Sequence, residues 1–255
     1  MEAKGKNQGT EPLPWGEWIG LCAQEPYRML FPLGVLLGGL GVAIWPLFFF
    51  WGLAWAPPPI SHPRIVIEGF VGSFVIGFLG TSVPRLLEVK RFSIWETGGV
   101  AAALSAVGLL HLFGLTGWGD GLFGSAILCF LWLLASRFPA RRDNPPPSFL
   151  LALFGLLGAV VGSLWIASEE GGLRFSPFLH SLSLLLLYQG LPLLPILGVG
   201  AFLLPRFYGL PSRESLPEAR IPTRAWLLRA LAALIAALVL FASFLWEAAG
   251  GALAG

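Results

Sequence analysis

Charge is scarce in this chain. Lys and Arg number 16 and Asp and Glu 14, so only 12% of the 255 residues are charged against 56% hydrophobic. That balance excludes an ordinary soluble globular protein, which covers its surface with charged side chains. Cysteine is scarcer still: Cys22 and Cys129 stand far apart and support no zinc finger, covalent haem attachment or disulfide framework, so both read as free thiols. No G-x-x-x-x-G-K-[ST] loop occurs, which argues against nucleotide hydrolysis by this chain. The net charge of +2 carries no nucleic-acid signal.

What the chain has instead is a series of apolar runs of about twenty residues, the length needed to cross a bilayer as a helix. Lipid offers no partner to free backbone groups, so each crossing must be a helix, and the expected fold is an all-α polytopic transmembrane bundle. Seven spans are expected, at about 29 to 51, 65 to 84, 97 to 115, 121 to 138, 148 to 167, 177 to 204 and 224 to 247. Residues 1–28 read as a cytoplasmic leader without the cleavage signature of a signal peptide, 29–250 as the seven-helix domain, and 251–255 as a short external tail. Pro57-Pro58-Pro59 and Pro145-Pro146-Pro147 mark helix starts, where a missing N–H costs nothing. Pro192 and Pro195 predict a kink in the sixth span beside Tyr188 and Gln189; a packed kink is the plainer reading and a cofactor pocket the other.

Basic residues divide unevenly between the links. Fourteen of sixteen, from Lys4 and Lys6 to Arg224 and Arg229, fall on one side, leaving Arg64 and Arg174 for the other. The positive-inside rule then puts the N-terminus in the cytoplasm and the C-terminus outside. The outer links carry Asp120, Glu169 and Glu170, and Leu115 to Asp120 reads as a tight glycine-rich turn. Tryptophans such as Trp18, Trp51, Trp95, Trp118 and Trp246 lie near span ends, where amphipathic rings anchor. Glycine pairs such as Gly34 with Gly38 and Gly158 with Gly162 predict close helix packing.

On this map His62, His111 and His180 all lie at the outer ends of three different spans. A neutral imidazole is the commonest metal ligand and a frequent axial ligand of haem, so the three are candidate cofactor ligands. The plainer reading gives each an interfacial hydrogen bond. Glu68, a carboxylate inside the apolar zone, needs a partner; with His62 it forms a candidate metal pair, and with Arg64 four residues away it forms a simple charge clamp.

Three stretches resemble the NnrS family of membrane proteins. They are Glu25-Pro26-Tyr27-Arg28, the segment from His62 to Gly69-Phe70, and Gly77-Phe78-Leu79-Gly80-Thr81-Ser82-Val83-Pro84, with a looser likeness at Gly200 to Phe207. The resemblance implies a haem- and copper-containing protein tied to nitric oxide and nitrogen-oxide metabolism, with His62 as the carried-over ligand. Arg64 stands where the family has a second histidine and Ile65 where it has glutamate, and these departures speak against copper.

Two functions are thus expected. In one, a b-type haem or a metal sits at the outer face of a bacterial inner membrane, held by His62 with His111 or His180 and supported by Arg64, Glu68, Tyr188 and Gln189, for nitric oxide response or electron transfer. In the other, the chain is a cofactor-free subunit or assembly factor of a respiratory membrane complex, with the lipid bilayer and other subunits as its partners. No catalytic residue is assigned.

Overall fold

The computed structural model describes residues 15–52, 55–209 and 221–254, all helices and their connections, with no strand among them. The basic leader residues Lys4 and Lys6, and Arg213 and Arg220 of the last link, lie outside the described residues. A short helix α1 (Trp15–Gln24) precedes seven longer ones: α2 (Tyr27–Trp51), α3 (Pro58–Leu86), α4 (Ile94–Leu112), α5 (Thr116–Arg137), α6 (Phe149–Glu170), α7 (Pro177–Phe207) and α8 (Arg224–Ala254). Six are long and apolar enough to cross a membrane; α4 is helical over the expected third span, but Glu96 and its small residues leave it outside that set. Helix α1 occupies part of the expected leader, and α8 runs on through the segment expected as a tail.

Ion pairs mark the two ends of the bundle. Glu25 bonds Arg28 at 2.6 Å and also Arg85, and Glu96 bonds Arg137 at 2.6 Å, which gathers the start of α2 and the adjoining ends of α3, α4 and α5 at one end. Arg64, Asp120 and Glu170 meet at the other, which also holds the three histidines. Ser93 and Glu96 close a reciprocal cap at the start of α4, the device that satisfies two otherwise orphaned N–H groups. Thr97 Oγ1 donates to the Ala23 carbonyl at 2.7 Å and so ties α1 to α4.

Two helices widen locally. Ile65–Val71 in α3 and Leu186–Gly190 in α7 are π turns, each beside proline: Pro63 before the first, Pro192 and Pro195 after the second. Pro192 withholds an N–H and its ring crowds the turn before it, which is where the hydrogen-bond register of α7 shifts. Where the sequence predicts a kink in the sixth span, the helix carries the π turn Leu186–Gly190. The turn expected at Leu115 to Asp120 falls two residues earlier, because Gly114 takes the left-handed conformation at φ +79 and α5 has begun by Thr116.

The core is a layer of Leu104, Val107, Phe123, Ile127, Leu156 and Leu187 between α4, α5, α6 and α7. Lipid tails are as apolar as these side chains, so close packing rather than dehydration holds the helices together. Gly162 lets α6 touch the backbone of α7: a Cβ there would lie 2.6 Å from the Ser183 carbonyl oxygen and 3.2 Å from the Leu187 nitrogen. Gly158, one turn away, faces only ordinary contacts.

Gly162→Ala should therefore lower stability by about 1–3 kcal/mol, the usual cost of overpacking, whereas Gly39→Ala, with nothing near its Cβ position, should leave it level or slightly higher. Thermal unfolding in detergent compares them. A second expectation concerns pH. Burial alone would raise the Glu25 carboxyl, but the Arg28 hydrogen bond and the Arg85 charge outweigh it and hold the group below the usual carboxylate range. Its contribution is then complete above the unfolded value of about 4.3 and lost as pH falls through the folded one. The unfolding temperature should fall on acidification below about pH 4, and fall less in Glu25→Gln.

Candidate metal centre

At the histidine end, four helices deliver polar side chains to one spot, buried except at Glu170. Arg64 and Glu68 come from α3 on either side of the start of its π turn, His111 from the last turn of α4, Asp120 from the start of α5 and Glu170 from the end of α6. Glu68, His111 and Asp120 are each 0% exposed. The wide turn around Glu68 has a counterpart across the bundle, since Tyr188 on the π turn of α7 lies in electrostatic range of Arg64, Glu68 and Asp120. Such turns recur at functional sites, where they aim a side chain away from the regular helix face.

His111 Nε2 lies 2.8 Å from Glu68 Oε2, within hydrogen-bond reach, and 4.0 Å from Asp120 Oδ1. One donor atom from each of the three residues lies within 4.8 Å of the others, the spacing at which they can share an ion. Arg64 closes the open side. Its Nε donates to both oxygens of Asp120 at 3.1 and 3.2 Å, and its Nη2 donates to Glu170 Oε1 at 2.9 Å. Thr116 Oγ1 holds the other Glu170 oxygen at 2.6 Å. Two atoms in the buried cluster keep no hydrogen-bond partner, Glu68 Oε1 and His111 Nδ1. A buried polar atom without a partner costs stability unless an ion, a water or a ligand satisfies it.

Glycine makes the arrangement fit. The His111 ring lies on the backbone of Gly119, where a Cβ would collide with Cε1, Nδ1 and Nε2 alike. Gly117 gives the same room to Glu170, whose Cβ stands 2.8 Å from the place a side chain would occupy. The glycines that read as a turn in the sequence thus permit close approach of side chains from α4 and α6. The donor set suits a single ion and does not suit haem, because a haem iron offers at most two positions outside its macrocycle and cannot take three protein donors this close together.

Two of the sequence candidates, His62 and His180, are placed apart from the cluster. His62 is half-buried, with Nδ1 2.9 Å from the Gly41 carbonyl oxygen and its ring edge-on to Trp45. That bond leaves Nε2 uncommitted. His180 is exposed and its Nδ1 bonds Glu169 at 2.6 Å. Arg64 pairs with Asp120 and Glu170 rather than forming a clamp with Glu68 alone. Asp120, Glu170 and Thr116 carried no expectation as site residues. The signal for Asp120 was a lone carboxylate beside an apolar run, nine residues from a histidine.

Gly119→Ala should displace the His111 ring and destabilise the protein by about 1–3 kcal/mol, while Gly121→Ala, whose Cβ would meet only Ala167 at 3.6 Å, should not. Paired thermal unfolding curves decide it.

No curated protein and no solved structure matches the chain. One family model does, described as NnrS protein, and it spans residues 22–255, from α1 through the buried cluster to the end of α8. The stretches that resembled this family in the sequence lie inside that match. With a helical membrane-type bundle and a match over nearly its whole length, the chain belongs to the NnrS family.

Proposed function

We propose that this protein holds a metal ion inside the membrane at its histidine end and serves in the handling of nitrogen oxides, binding a small ligand or passing an electron there. The observation that carries the reading is the convergence of Glu68, His111 and Asp120, all fully buried, with Glu68 Oε1 left unpartnered. Ionisable groups at such depth are costly and mark functional sites more often than not. An ion there supplies a Lewis-acid or one-electron centre. The protein's own part is to fix three ligands from three helices, to hold Asp120 with Arg64, and to exclude water by close packing at Gly119. The nitrogen-oxide role rests on the family. The Arg and Lys distribution supports placing this end on the outer face of a bacterial inner membrane.

One observation favours the cofactor-free alternative. Arg64 already bridges Asp120 and Glu170, and such a network can serve as a structural clamp between α3, α5 and α6. Metal content separates the two readings. In protein purified in mild detergent, His111→Gln should lower metal affinity at least about tenfold, as loss of a ligand does, while His180→Gln leaves it unchanged. Full metal content in His111→Gln, with loss in His62→Gln, would refute the ligand assignment.

A further inference from the structure

We propose that the Glu68, His111 and Asp120 cluster takes a single divalent ion of the zinc, manganese or ferrous class, with a coordination position left open, and takes neither cuprous copper nor haem. The proposal rests on the cluster being a metal centre at all.

Charge is the first argument. Glu68 and Asp120 bring two negative charges into a space with no exposure, and a neutral His111 adds none. Arg64 is shared between the buried Asp120, at 3.1 Å, and Glu170, whose side chain is 35% exposed, at 2.9 Å, so the five groups together carry a net charge of −2. A dication therefore brings the whole set to zero. A cuprous ion leaves the set one charge short of neutrality.

Donor chemistry is the second. The cluster offers one imidazole nitrogen and two carboxylate oxygens and no sulfur. Cuprous copper prefers thiolate and thioether ligands, but Cys129 is exposed on the middle of α5, while Cys22 on α1 and Met29 at the start of α2 belong to the opposite end of the bundle. Zinc, manganese and ferrous ions accept mixed nitrogen and oxygen ligands.

Geometry agrees. Two donors each about 2.1 Å from one ion are at most about 4.2 Å apart, and the separations of His111 Nε2 from Glu68 Oε2 and Asp120 Oδ1, 2.8 and 4.0 Å, both fall within that. Glu68 Oε1, buried and unpartnered, is the atom a cation would satisfy. Three protein ligands are the number found where zinc keeps a position free, whereas closed structural sites have four.

The test uses the full chain in detergent, stripped with a chelator and then equilibrated anaerobically with Zn²⁺, Mn²⁺, Fe²⁺ or Cu⁺ under reducing conditions that keep copper cuprous. Elemental analysis should find about one equivalent of the divalent ions and no cuprous ion at this site. Glu68→Gln and Asp120→Asn should each weaken binding at least about tenfold. Should either variant fail to fold, Co²⁺ loaded into the unaltered protein gives an independent reading, with visible bands of nitrogen and oxygen ligation and no sulfur charge-transfer band. Cuprous copper or haem iron retained in dependence on Glu68 and Asp120 overturns the proposal while leaving a metal function intact. Divalent binding indifferent to both variants also overturns it. Failure to bind any metal overturns the metal function itself.

Discussion

Neutralising buried charge is the constraint on which this end of the molecule turns. Four helices place three carboxylates, an imidazole and a guanidinium within a few ångströms of one another, in a bundle whose remaining interior is aliphatic and aromatic with scattered serine and threonine. Glu68 and Asp120, both fully enclosed, are not stable alone at that depth, because an isolated charge loses far more hydration than packing returns. Arg64 is the pivot: one guanidinium answers Asp120 on α5 and Glu170 on α6, and so fixes how α3 sits against both. The buried pair Glu68 and His111 then occupies what remains.

The rest of the fold is arranged to allow this. Glycines at 117 and 119 bring α5 against the tip of α6 and the ring of His111, where any side chain would intrude. The π turns of α3 and α7 widen those helices next to proline and present Glu68 and Tyr188 to the same interior. At the opposite end a second set of ion pairs, around Glu25 and Glu96, gathers the start of α2 and the adjoining ends of α3, α4 and α5. The two sets clamp the bundle at both ends, and the core between them holds by shape.

The spans themselves were legible because each is a continuous apolar run: the expected limits 29 to 51 and 148 to 167 differ from α2 and α6 by three residues at most. Glu68 was legible as a charge without water. Asp120 was not, since Leu115-Thr116-Gly117-Trp118-Gly119-Asp120 has the composition of a loop, and nothing local distinguishes glycine used for a turn from glycine used for close approach. The two uses differ only in what lies across from them.

By itself, then, the sequence determined an all-helical bundle, most of its span limits, its helix-start prolines and the family to which it belongs, because hydrophobic run length and backbone hydrogen bonding are local properties. Which histidine sits in the polar cluster was decided by tertiary structure. His62, His111 and His180 are equivalent by sidedness, yet only His111 is fully enclosed beside two carboxylates, the nearer of them 43 residues away in sequence. Arg64 likewise found its partners 56 and 106 residues away rather than four. Electrostatic pairing in a low-dielectric interior follows distance in space, and helix packing alone sets that distance.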